Sequence, residues 1–328
     1  MRSPATSLIT ELPPHWIPGR PRIKPGVARN DGWFDDTRER GVTLIELVVV
    51  MTLLAIIAAV AAVALRDPVR AYADSNRRAE LTDMADIALR RMARDIRLAL
   101  PNSVRVSGTY LELLLTRTGG RYREQQNDTG QGDVLDFALP DTQFDTLGPM
   151  SAVPMAIQNG DILVMYNLFS DPAIPTSNAY TFGSGNCAAA DSPNCNTSTI
   201  RDTDAGALPN ETRIIFAARQ FPQASPGKRF QVVQGPVTYE CASGAIDAQG
   251  NATGTLTRID GYAIALNQPT GNGFGTRALL ANNVAACDIT YNPLVLTQSL
   301  GLVSISLTLT RGGESVRLYH EVHVTNIP

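Results

Sequence analysis

The chain has 328 residues, with 28 Lys and Arg against 31 Asp and Glu, a net charge of −3 and 44% hydrophobic residues. That length allows one large or two small domains, and the charge balance excludes a nucleic-acid-binding surface, since no long Lys/Arg run occurs outside one helical stretch. No internal repeat of roughly 20 to 50 residues is visible.

In chain order, residues 1–41 hold seven Lys or Arg and five Asp or Glu. Pro4, Pro13, Pro14, Pro18, Pro21 and Pro25 interrupt any helix there, so no fold is expected. From Val42 to Leu65 the chain runs 24 residues without Lys, Arg or Asp. At helical rise this is about 36 Å, against a hydrocarbon core of about 30 Å, and one transmembrane helix is expected. The stretch exceeds the apolar region of a cleaved secretory signal peptide, about 7 to 15 residues. Its single carboxylate, Glu46, costs roughly 2.5 to 3.5 kcal/mol at a bilayer centre and less near the ends, so it needs a partner. Arg38 and Arg40 before the span favour a cytoplasmic N-terminus; Arg66, Arg70, Arg77 and Arg78 beyond it weigh the other way.

Gly41-Val42-Thr43-Leu44-Ile45-Glu46, followed by the apolar run, resembles the cleavage and methylation signature of type IV prepilins and type II secretion pseudopilins. The resemblance implies that prepilin peptidase cuts after Gly41, that Val42 becomes the N-methylated mature N-terminus, and that Glu46 is the fifth mature residue. The new amine at Val42 would then neutralise Glu46 of a neighbouring subunit in a low-dielectric filament core. The family usually has Phe where this chain has Val42. A leader of 41 residues is long for the family, and translation starting near Val27 would shorten it. The implied partners are prepilin peptidase, other major and minor pilins, an inner-membrane assembly platform and the lipid bilayer, with no nucleic acid. The implied location is the bacterial inner membrane, C-terminal domain periplasmic, and then a pilus or pseudopilus. A plain signal anchor with an incidental Glu46 is the alternative.

After Pro68 helical periodicity returns and Pro101 stops it. Leu81, Met84, Ala88, Met92, Ile96 and Ala99 form one apolar stripe, flanked by Arg77, Arg78, Arg90, Arg91, Arg94 and Arg97. An amphipathic stem over 66–100, kinked at Pro68 and laid on a sheet, is expected. Residues 90–97, Arg-Arg-Met-Ala-Arg-Asp-Ile-Arg, resemble the corresponding stretch of J-class minor pseudopilins and related minor pilins.

Beyond Pro101 short strands are expected at 104–106, 110–115, 134–138, 162–166, 213–216, 230–233, 237–241, 255–265 and 289–291. A C-terminal hairpin is the clearest element, with LVSISLTLT at 302–310 and ESVRLYHEVHV at 314–324 joined through Arg311-Gly312-Gly313. Residues 121–133 and 170–209 read as long loops, the first places to look for contact surfaces. Cys187, Cys195, Cys241 and Cys287 all lie in the part expected to be exported, and an even number suits an oxidising compartment. Four cysteines allow three connectivities; the short CAAADSPNC loop favours Cys187 with Cys195, leaving Cys241 with Cys287.

No catalytic constellation emerges, and the chain is expected not to be an enzyme. His320-Glu321-Val322-His323 is one residue short of HExxH, and strand alternation sends its two histidines to opposite faces. Gly271 to Thr276 lacks the Lys and the strand-to-helix context of a phosphate loop. Asp202 and Asp204, or Asn127, Asp128 and Asp133, offer oxygen ligands for calcium but match no EF loop, and turn chemistry accounts for them better. No metal or cofactor is expected. Segments of residues 237–328, among them VTYECAS, TLTRIDGYAI and LLANNVAACDITYNP, are similar to the MshO family of MSHA (mannose-sensitive haemagglutinin) pilus biogenesis proteins, which are minor-pilin-like.

The combined expectation is an α+β, pilin-like fold: leader 1–41, transmembrane helix 42–65, stem 66–100, and an antiparallel β-sheet domain over 101–328. The expected role is pilus initiation or assembly, with a J-like pseudopilin or a tip adhesin using loops 121–133 and 170–209 as rivals.

Overall fold

A computed structural model describes residues 41–150, 156–296 and 300–328. The expected leader, with Arg38 and Arg40, lies outside these residues except for Gly41. The chain divides into two compact units, Met1–Ala62 and Val63–Pro328. A single helix, α1 (Leu44–Arg97), enters both. The segments expected at 42–65 and 66–100 are therefore one element, continuous through Pro68 and ending three residues early. Pro68 lacks the N–H for a bond to the preceding turn, and the chain is helical on both sides of it.

Within the second unit α1 buries Leu81, Ala85, Ala88, Leu89, Met92, Ala93 and Ile96, with Met84 partly covered. This is the expected stripe, widened by three residues. Each large apolar side chain contributes about 1.5 to 3 kcal/mol, and the alanines bring the helix backbone close to the sheet.

Eleven strands follow, all paired antiparallel. They are β1 (Arg105–Ser107), β2 (Tyr110–Arg121), β3 (Asp141–Asp145), β4 (Ile162–Met165), β5 (Thr197–Ala205), β6 (Thr212–Arg219), β7 (Arg229–Ala242), β8 (Gly254–Asp260), β9 (Thr276–Leu296), β10 (Leu300–Arg311) and β11 (Glu314–Thr325). The organising element is β7. One of its edges pairs with β2 along Arg229 to Glu240, so β4, opposite Phe230 to Val233, and β8, opposite Thr238 to Ala242, share the other edge. The sheet forks there into β8-β9-β10-β11 and β4-β5-β6-β3. Gly235, at φ 151°, and Pro236 sit at the fork, where neither β4 nor β8 needs a donor.

The first branch lies under α1, its core built from Leu111, Tyr239, Leu256, Val303, Ile305, Leu307 and Leu309. The second has its own core of Tyr122, Phe144, Leu163, Ile214, Phe216, Phe230 and Val232, with no residue of α1 in it. Expectation and structure differ in several places, β3 among them, which was not expected. Residues 134–138 form no strand, because Asp136 accepts the Ala138 amide at 2.6 Å and holds a turn. The strands expected at 230–233 and 237–241 are one. That at 255–265 stops at Asp260 before Gly261 (φ 70°), and that at 289–291 is the middle of a 21-residue strand. The expected loop 170–209 contains β5, and Ala179, Tyr180 and Thr181 within it are buried, fixed by Asn178 bonded to the carbonyls of Asp171 and Ile174. The hairpin forms as expected, Gly312 (φ 59°) and Gly313 (φ 80°) providing the two-residue turn between Arg311 and Glu314. Both disulfides, Cys187–Cys195 and Cys241–Cys287, have the expected pairing.

Candidate functional site

Helix α1 begins with a side-chain cap. Thr43 Oγ1 accepts the Glu46 amide at 3.3 Å and the Thr43 carbonyl accepts the Leu47 amide at 3.1 Å, so Thr43 is the N-cap and Glu46 the third helical residue. Thr-x-x-Glu is the spacing of a capping box, and a carboxylate in the first turn is favoured by the helix dipole. Cutting the chain after Gly41 leaves that cap whole. Among the described residues nothing lies within 4 Å of where a Cβ on Gly41 would stand.

Every residue from Gly41 to Ala73 is exposed. Around the helix as far as Leu65 the side chains are apolar on all sides, which suits a hydrocarbon or a bundle of like helices and not water. The Thr52 hydroxyl is satisfied within the helix by the Val49 carbonyl at 2.9 Å. Glu46 is the one ionisable side chain between Val42 and Leu65.

The remaining candidates do not assemble into a reaction centre. His323 is exposed and His320 half-buried, on opposite faces of β11. The Gly271 to Gly275 stretch is a strand-to-strand connection, its amide at Gly271 donating to Tyr110 Oη at 3.1 Å and Phe274 packing on Tyr262 at 4.9 Å. Asn127 Oδ1 closes its own turn onto the amides of Thr129 and Gln131. Asp133 accepts from Gln143 at 2.6 Å, and Asp202 accepts from the Thr203 amide. Among the described residues no three His, Cys, Asp or Glu side chains converge as metal ligands.

Sequence reasoning missed the buried charge networks, two of which join elements far apart in the chain. Asp95, on the covered face of α1, accepts from Tyr239 Oη at 2.7 Å and Arg258 Nε at 2.8 Å. Glu112 accepts from Arg105 Nε at 2.6 Å and Tyr262 Oη at 2.9 Å, and the Arg105 guanidinium also stacks 3.6 Å over Tyr180. Burial raises the Glu112 carboxyl above the usual range, Arg105 and Tyr262 offsetting it only in part. Glu112 has no solvent access. These groups fasten helix, sheet and loop together.

Residues 36–62 match the prokaryotic N-terminal methylation motif. No curated protein and no solved structure matches the chain. A methylation motif laid over the exposed apolar start of a long helix, whose far end packs on an antiparallel sheet, marks this chain as type IV pilin-like or pseudopilin-like and as a substrate of prepilin peptidase.

Proposed function

We propose that the chain is a minor-pilin-like subunit of an MSHA-type pilus, similar to MshO, that takes part in initiating or assembling the filament. Prepilin peptidase cuts after Gly41, Val42 is N-methylated, and the apolar half of α1 anchors the C-terminal domain on the periplasmic side before packing into the filament. The observation that carries this reading is the position of Glu46: the lone carboxylate of the apolar stretch from Val42 to Leu65, one turn from the amine that cleavage would create. In hydrocarbon it is costly, and opposite the Val42 amine of a neighbour it is neutralised. The role is structural, with no chemistry asked of the sheet domain and no metal or cofactor required.

Mass spectrometry of the mature N-terminus, with and without prepilin peptidase, tests the processing step. An N-methylated Val42 terminus is expected only with the peptidase; an intact chain, or a cut elsewhere, would sink the reading. Glu46→Ala should leave membrane insertion intact and abolish incorporation into filaments. The resemblance of residues 90–97 to J-class minor pseudopilins supports a second reading, assembly into a secretion pseudopilus. Deleting the chain then stops protein secretion and spares the pili.

A further inference from the structure

Arg121 ends β2, Arg229 opens β7, and the strand register sets them directly opposite each other. Both are exposed, and like charges facing across adjacent strands repel. Nearby cations are neutralised: Lys228 by Glu124 at 2.5 Å, Arg117 by Asp161 at 2.7 Å and Arg213 by Asp145 at 2.9 Å. Among the described residues Arg121 and Arg229 make no ion pair and no side-chain hydrogen bond. They border an open cavity of about 450 Å³, and no Asp or Glu is among the described residues that line it.

The rest of that cavity is equally specific. Gly119, paired with Gln231, forms a floor without a side chain, where an added Cβ would meet the Phe230 carbonyl at 3.0 Å. Gln231 lies on the same strand face as Arg229, and its amide oxygen is covered without a hydrogen-bond partner. Gln231 also lines the cavity, so a turn about its soft terminal torsion would aim that oxygen into it. Leu147, 51% exposed, adds an apolar wall. Phe230 and Tyr122 anchor the two strands in the second core.

We propose that this face of the paired strands β2 and β7 binds a carboxylated saccharide. Arg121 and Arg229 clamp the carboxylate with their planar forks, the Gln231 amide accepts from a neighbouring hydroxyl, and Leu147 lies against the C–H face of a ring seated on Gly119. A bare anion would use the arginines and leave Gln231 unsatisfied. The site uses none of Gly41, Val42 and Glu46, so its test is separate from that of processing.

Calorimetric titration of the full mature chain in detergent micelles compares trigalacturonate, neutral galactotriose and inorganic phosphate. Saturable binding of trigalacturonate is expected, with none of galactotriose. Arg121→Gln and Arg229→Gln should each weaken it roughly tenfold or more, and Gln231→Ala should weaken trigalacturonate while sparing phosphate. Gln231→Glu keeps both arginines and sets a carboxylate in the site, and should abolish binding even if an arginine variant misfolds. No saturable trigalacturonate binding overturns the proposal, as does binding that survives Gln231→Glu. Phosphate bound as tightly as trigalacturonate overturns the assignment to a saccharide.

Discussion

Asp145 is fully buried, yet it is held ionised. Burial pushes its carboxyl upward, but the Arg213 fork at 2.9 and 3.2 Å and the amides of Asp133 and Ala207 outweigh that and leave it below the usual carboxylate range. A folded-state pKa below the unfolded one gives stability that is present at neutral pH and lost as pH falls below the unfolded value, about 3.9. Asp133 beside it shifts the other way, raised by burial and in smaller part by the Asp145 charge, with Gln143 and Arg213 compensating in part; its contribution grows as pH falls. Asp145→Asn should therefore cost about 2 kcal/mol at pH 7, discounted for the part-exposed Arg213, and less at pH 3. Urea unfolding at the two pH values measures the difference, and an equal cost at both would contradict the assignment.

At the scale of elements, β7 carries both branches of the sheet and turns at Gly235. Its φ of 151° is one that side chains avoid, although the space around it is open, with nothing within 4 Å of an added Cβ. Gly235→Ala should thus act through the backbone alone and cost about 1 to 3 kcal/mol in thermal melts. An unchanged melting temperature would mean that the fork tolerates an ordinary strand conformation. This is also where sequence reading divided one strand into two, since Gly-Pro is the usual punctuation between elements. The C-terminal hairpin was legible because Val303, Ile305, Leu307 and Leu309 alternate strictly with polar neighbours. Strand β9 was not, because few of its side chains are fully buried and a break at Asn283 (φ 58°) disturbs its alternation. The site at Gly41 to Glu46 could be read because its spacing is local. The bond from Asp95 to Arg258 spans 163 residues, and the Arg121 to Arg229 pair depends on register; neither leaves a local mark.

Over the whole molecule, the two units differ in what they need from their surroundings. The first buried side chain of α1 is Leu81, well inside the unit that begins at Val63, and the three buried clusters start there or beyond it, as do both disulfides. A chain starting at Val63 should stay monodisperse without detergent, hold both disulfides and melt cooperatively, whereas the full chain requires detergent because Val42 to Leu65 is exposed and apolar. Light scattering and thiol titration check this; aggregation of the shortened chain would mean that its fold depends on the apolar half of the helix.

The ion pair between Arg78 and Glu314, at 2.5 Å, joins residues 236 positions apart, and Arg311 reaches back to Glu80 at 2.9 Å. The helix is synthesised first, and the strands that cover it, β10 and β11, come last. During synthesis Leu81, Met92 and Ile96 have no lid, and the closing contacts must wait for almost the entire chain to appear. Such distant pairing makes folding slow and leaves a sticky early intermediate. The interval between emergence of the helix and arrival of the final hairpin is therefore the time when this protein most needs a chaperone, and when a truncated product would be most readily degraded.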